Sequence, residues 1–335
     1  MSETTETLAA GFDWLAQGRR VALATVIETW GSSPRPVGAR LVIDADGDFL
    51  GSVSGGCVEG DVIAEALEVI ADGRPRTLDF GVSDEKAWSA GLSCGGRISL
   101  LVEPLRPGDP LEAAAAEQQR GGEVFLATRL SDGARLRADA PDAPPAVQEA
   151  ARRQSGARVS TEAGDYFVEV WRPDLRLMLI GAAHIAQALA PMASACGYQT
   201  TIVDPRTAFA TPERFPGVAL APVWPDAFLA DCGLDARCAV VALTHDPKID
   251  DRALAAALRS AAFYIGALGS KKSAQARRER LRAKGFGEAD LARIHAPVGL
   301  DIGAAGPAEI AVSIMAEITL SLRRRVPAEA VAHAS

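Results

Sequence analysis

Two short segments set a thiol among serines and glycines. In the first, Ser54-Gly55-Gly56-Cys57 leads into Ile63, Ala66, Leu67 and Ile70, apolar residues at helical spacing. The pattern predicts that Cys57 lies just inside a helix N-terminus, where amide dipoles favour the thiolate, the form of cysteine that attacks electrophiles and binds soft metals. Ser54, Gly55 and Gly56 would let a ligand approach the backbone. In the second segment, Ser93-Cys94-Gly95-Gly96 repeats the chemistry ahead of a strand pattern, and so without a helix dipole. The competing reading for both thiols is a buried, inert packing residue. Cys196, Cys232 and Cys238 have no such setting and read as structural.

A different chemistry is written further along. The apolar run ending at Ile180 passes into Gly181-Ala182-Ala183-His184-Ile185-Ala186, then a helical pattern, then a strand closing at Asp204. This is the layout of a dinucleotide fingerprint: Gly181 for the tight turn, a helix N-terminus with His184 in its first turn facing a pyrophosphate, and Asp204 reaching ribose hydroxyls. Ala183 stands where the second glycine belongs and puts a methyl group in the path of the pyrophosphate. The pattern therefore also suits a Rossmann-type domain that binds no dinucleotide, or one that takes another phosphate ligand. Gly269-Ser270-Lys271 forms a second turn from strand to helix that could hold an anion, or be a helix start capped by Ser270. Thr244-His245-Asp246 follows the apolar stretch Cys238 to Leu243, at the edge where open α/β sheets place their ligands. His245 is there either as a functional group or as a loop cap. The arginines from Arg277 to Arg282 read as a solvated helix face.

The elements that position these residues fall into two patterns. Strand-like runs at Arg20 to Thr29, Ala39 to Asp44, Phe49 to Val53, Arg76 to Phe80 and Arg97 to Val102 surround the thiol segments, after an opening amphipathic helix. From Arg176 onward strands and helices alternate, the signature of a parallel sheet covered on both faces. The expected fold is α/β: an N-terminal α+β domain over 1–173, with 106–173 as extension and linker, then a C-terminal Rossmann-like parallel-sheet domain over 174–326 and a tail over 327–335.

The chain has 335 residues, with 35 basic against 43 acidic side chains and a formal net charge of -8. That charge disfavours nucleic acid and anionic membranes as partners. Met1 to Leu8 has neither a basic nor an apolar targeting pattern, and no apolar run reaches a membrane span. Five cysteines without CxxC spacing match neither a disulfide framework nor a structural zinc site, which places the protein in a reducing cytoplasm.

Several motifs taken in order carry a resemblance: Val53 to Gly60, Gly91 to Gly96, the Gly181 turn with His184, Thr244-His245-Asp246, Tyr264-Ile265-Gly266 with Gly269 to Lys272, and His295 to Gly303. Together they resemble the XdhC/CoxI family, accessory proteins of molybdenum hydroxylases such as xanthine dehydrogenase and carbon monoxide dehydrogenase. The resemblance implies a cofactor-binding chaperone with no turnover of its own. It would bind molybdenum cofactor, assist its sulfuration by a cysteine desulfurase, and deliver it to an apo molybdenum hydroxylase. Cys57 and Cys94 then become candidates for holding the metal centre or passing sulfur, with Cys57 the molybdenum contact through the cofactor. The cofactor could be molybdopterin itself or its cytosine dinucleotide form, and a homo-oligomer is expected. Two other classes remain open. One is an NAD(P)-dependent oxidoreductase using His245 for proton transfer, which predicts saturable NAD(H) binding, whereas the Ala183 methyl predicts that NAD(H) binds weakly or not at all. The other is a sulfurtransferase carrying a persulfide on Cys57 or Cys94.

Overall fold

Strand β1 (Val21–Trp30) shows how the N-terminal sheet forms. Ala22, Ala24 and Val26 pack into one apolar cluster while Val21 and Leu23 join another. A strand covered on both faces reads as a continuous apolar run rather than an alternation. The computed structural model describes residues 3–31, 35–81, 96–153 and 156–325. The chain divides at Asp174 into two compact units.

In the first unit, α1 (Glu3–Ala16) precedes β1, β2 (Arg40–Asp44), β3 (Phe49–Gly51), α2 (Glu59–Asp72), β4 (Arg76–Phe80) and β5 (Arg97–Leu105). The strands form an antiparallel sheet in the order β3-β2-β1-β5-β4. Helix α2 buries Val62, Ala66 and Val69 on one face of it, and α1 sets Leu8 against the other. The stretch expected as an extension is a layer of its own. After α3 (Pro110–Gln119), strands β6 (Val124–Arg129), β7 (Arg135–Arg137), β8 (Ala157–Thr161) and β9 (Gly164–Trp171), with α4 (Pro145–Arg152), make a second antiparallel sheet in the order β7-β6-β9-β8.

The second unit runs β10 (Leu175–Ile180), α5 (His184–Ala195), β11 (Tyr198–Val203), β12 (Ala219–Ala221), α6 (Pro225–Asp231), β13 (Cys238–Ala242) and α7 (Pro247–Leu258). It continues with β14 (Tyr264–Ala267), α8 (Lys271–Ala283), α9 (Glu288–Leu291), β15 (Ile294–His295) and α10 (Pro307–Arg325). Its six strands are parallel, in the order β12-β11-β10-β13-β14-β15. That is the Rossmann order, and its direction reverses between β10 and β13, where such sheets open a ligand crevice. Leu177 and Leu179 face α5 and α10, and Met178 and Ile180 face the layer containing α7. Among the described residues no helix is long and apolar enough to cross a membrane.

Candidate functional site

The thiol loop is built around a carboxylate that the motifs alone did not single out. Glu59, the first residue of α2, turns back and accepts five hydrogen bonds: from the Ser52 and Ser54 hydroxyls and from the amides of Val53, Ser54 and Gly56. Ser54 Oγ in turn accepts from the amides of Cys57 at 2.9 Å and Val58 at 3.0 Å, and Gly55 N donates to Ser52 Oγ. Burial alone would raise the pKa of Glu59, but the hydrogen bonds from Ser54 and Ser52 outweigh it and bring the value down to about 2. Two expectations are corrected. Cys57 lies two residues ahead of the helix, whose N-cap is Val58, and not within its first turn. The amides at Ser54 and Gly56, expected to face a ligand, are spent on Glu59.

Open space nonetheless remains beside the thiol. Gly55 and Gly56 are exposed and take positive φ of 75° and 109°, and a Cβ at Gly56 would meet nothing within 4 Å. Cys57 is half-buried against the cluster beneath α2. Of the second thiol segment, Ser93, Cys94 and Gly95 lie outside the described residues, and Gly96 is buried just before β5.

In the second unit the structure brings the Gly181 turn and the Thr244-His245 loop together at the switch point. Gly181 has φ of 108°, and a side chain there would run into Thr244. Helix α5 starts at His184, which is exposed, with Ala183 as an N-cap that makes no side-chain hydrogen bond. Asp204 does not reach out toward a ribose. It is fully buried, accepts Ala182 N at 2.9 Å, and is clasped by Arg206 through Nε at 2.9 Å and Nη2 at 2.7 Å. Burial opposes its ionisation, yet the Arg206 and Ala182 hydrogen bonds hold its pKa below the usual range. Its place at the end of β11 was legible, but its role is to brace the turn.

His245 is exposed and holds φ of 61°, the left-handed region that side chains other than glycine seldom occupy. Thr244 Oγ1 anchors the loop by donating to Asp250 at 2.6 Å, and Asp246 caps α7 through Lys248 N. Arg277 departs from the solvated face expected of it: it is buried, 3.5 Å from Asp250, and donates to Leu268 O. Burial raises the Asp250 pKa and lowers that of Arg277. Gly269 follows with φ of 142°; Ser270 caps α8 through Ser273 N, and Lys271 is exposed.

Sequence reasoning gave His295 no role beyond its motif. His295 Nδ1 lies 2.9 Å from Glu317 Oε1, while Glu317 Oε2 accepts Tyr264 Oη at 2.5 Å and Gly299 N at 2.7 Å. The His295 and Tyr264 rings sit 4.7 Å apart. The carboxylate fixes one ring nitrogen of a half-exposed imidazole. Among the described residues no group of three or more His, Cys, Asp or Glu side chains is placed to hold a metal ion.

Residues 177–318 match the model of the XdhC Rossmann domain, and residues 14–81 match that of the XdhC and CoxI family. The molybdenum cofactor insertion chaperone PaoD of Escherichia coli is 32% identical over 305 residues, 91% of this chain and 84% of that protein. This chain belongs to the XdhC and CoxI family. A protein of Bacillus subtilis described as a probable subunit of xanthine dehydrogenase is 30% identical over 93% of this chain and 96% of its own length. A crystal structure of a xanthine dehydrogenase from Bacillus halodurans superposes with a TM-score of 0.78 at 27% identity, covering 100% of both chains. The thiol loop and Glu59 fall within the XdhC and CoxI match, and the Gly181, His245 and His295 loops fall within the XdhC Rossmann match.

Proposed function

We propose that this chain binds molybdenum cofactor and serves its insertion into a molybdenum hydroxylase. The observation that carries this reading is the 32% identity, over 91% of this chain, to a molybdenum cofactor insertion chaperone. The chemistry of the residues fits: Cys57 offers a soft ligand beside an open glycine turn, and α5 offers first-turn amides without a capping side chain. When bound, the cofactor supplies a soft metal dithiolene and an anionic phosphate. In this reading Cys57 contacts the metal centre or passes sulfur, Cys94 assists, and Glu59 holds the turn that presents Cys57. Sulfuration with a cysteine desulfurase, delivery to the apo hydroxylase, a homo-oligomeric state and a cytoplasmic location complete the proposal. The protein then acts as a chaperone rather than an enzyme.

NAD(P) fits less well, because Asp204 is closed off by Arg206 and Ala183 occupies the approach of a pyrophosphate. The test is to load wild type and Cys57→Ser with molybdenum cofactor and to measure retained molybdenum and activation of a desulfo molybdenum hydroxylase. We expect Cys57→Ser to fold and to lose retention or activation. Equal retention and activation would remove Cys57 from the site, and no retention by the wild type would remove the function.

A further inference from the structure

The Rossmann unit carries a groove of about 730 Å³ between α6 and α7, apart from every motif above. Its apolar lining is small and buried: Leu229 is 3% exposed and Ala255 6%, with Gly233 and Ala256 beside them. Side chains of this size let the backbone of another element come close. The rest of the lining is cationic. Arg252, Arg259 and Lys284 are all exposed, against a single acid, Asp226. Asp226 faces Arg252 at 3.6 Å, and among the described residues Arg259 and Lys284 enter no ion pair. Asp231 and Asp235 do not line the groove, and Asp235 is paired with Arg176 at 3.1 Å. Two of the cations are held in place by rings: the Arg252 guanidinium lies 4.4 Å from the Trp224 centroid and that of Arg259 5.0 Å from the Phe286 centroid.

A guanidinium already stacked on a ring loses less freedom when it pairs with a carboxylate than a free side chain does. Trp224 is itself 43% exposed, with Val223 beside it at 44%. Exposed tryptophan and arginine around an apolar centre are the residues that dominate binding where proteins meet. The charge selects the partner. A chain of net charge -8 repels acidic surfaces over most of its own, so a cationic groove is where such a surface is drawn in and oriented. Arg259 and Lys284 are the C-cap residues of α7 and α8, which places the groove toward the edge where helices return to the strand starts, opposite the Gly181 and His245 loops. A protein docked there leaves the ligand edge free. We propose that this groove docks an acidic amphipathic helix of the apo molybdenum hydroxylase, its apolar face against Leu229 and Ala255 and its carboxylates toward Arg259 and Lys284. The identity of the partner rests on the proposed function, while the preference for an acidic helix rests on the groove.

Biolayer interferometry between the full chain and the purified apo molybdenum hydroxylase of the same organism tests it. The wild type should bind, and raising the salt from about 50 to about 300 mM should weaken binding about threefold or more. Arg259→Glu combined with Lys284→Glu should weaken it about tenfold or more, whereas Arg259→Lys combined with Lys284→Arg, which keeps both charges, should stay within about threefold of wild type. Trp224→Ala removes the ring beneath Arg252 and should cost about fivefold or more. Arg259→Gln combined with Lys284→Gln covers the case in which the reversed charges disturb the helix ends, and should still weaken binding about threefold. No binding by wild type at micromolar concentration, or reversed and glutamine pairs that both bind like wild type, overturns the proposal. So does a reversed pair that dissociates a dimer of this chain in sedimentation and binds the hydroxylase unchanged, since the groove is then a contact between two copies. Retention of molybdenum is read separately on the same proteins: retention without hydroxylase binding sinks the groove alone, and charge-dependent hydroxylase binding without retention sinks the function alone.

Discussion

The two glycine turns of this protein, at Ser54 to Cys57 and at Gly181 to His184, both close around an internal carboxylate, and they do so differently. Glu59 gathers five donors, all from its own loop, and none of them is a cation. Asp204 takes the amides of Ala182 and Arg206 and is neutralised by the Arg206 guanidinium, whose side chain is 38% exposed. The first turn is therefore organised by the acid together with the Ser52 and Ser54 hydroxyls and stays open at Gly56, whereas the second is braced by an ion pair and closed against Thr244 at Gly181. A glycine-rich turn is a cradle for an anion only when its amides are free, and an acid a few residues away can take that place.

The largest effect separating the two turns should come from removing their acids. Glu59→Ala leaves two hydroxyls and three amides without their acceptor, and should cost about 3 to 5 kcal/mol in urea unfolding. Asp204→Asn should cost only about 1 to 2 kcal/mol, because the Arg206 side chain can turn to water and the amide oxygen still accepts from Ala182, leaving the Arg206 amide as the one backbone donor that loses its acceptor. Equal losses would mean that the two acids do the same job.

Acid should sharpen the contrast. The folded pKa of Glu59 lies at about 2, below its ordinary value, so its contribution is complete above about pH 5 and disappears as the pH falls toward 2. That contribution is roughly 2 to 3 kcal/mol. Unfolding measured at about pH 7 and about pH 3 should show most of this slope missing in Glu59→Gln. The Asp204 pKa is lowered too, and Asp204→Asn should remove a smaller part of the slope. Smallest of all is the effect at His245. Replacing it with Gly relieves a positive φ and should leave stability unchanged or raise it by up to about 1 kcal/mol, readable as a small increase in Tm. A clear loss would show that the imidazole makes contacts that outweigh the strain.

The Rossmann unit was legible because strands buried on both faces write themselves as apolar runs, and Met178 and Ile180 sit in one core while Leu177 and Leu179 sit in the other. The role of Asp204 was not legible, because the position of an acid at a strand end does not say which partner reaches it first. Glu59 did leave a signal. An acid three residues after Gly56 repeats the reach-back of a capping box, and Gly56 N does donate to Glu59. The His295 and Glu317 pair left none, since 22 residues and an intervening loop separate its members. Arg277 reads as solvated because the arginines from Arg277 to Arg282 cover too much of their helix to form one contact stripe, and only the packing of α8 sets it beside Asp250.

A turn held by its own carboxylate also has a polarity of approach. Glu59, with Asp61 following in the same first turn of α2, sets two carboxylates against the field that a bare helix start would present to Cys57, while Arg35, donating to Ser52 O at 3.2 Å, is the cation on the same loop. Where the two carboxylates outweigh Arg35, negatively charged groups approach the thiol less readily than neutral ones. Iodoacetamide should therefore react with Cys57 faster than iodoacetate by a larger factor than it does with a small free thiol. The ratio of the two rates, read against the same ratio for a small free thiol, then reports the charge that the loop presents to whatever approaches Cys57.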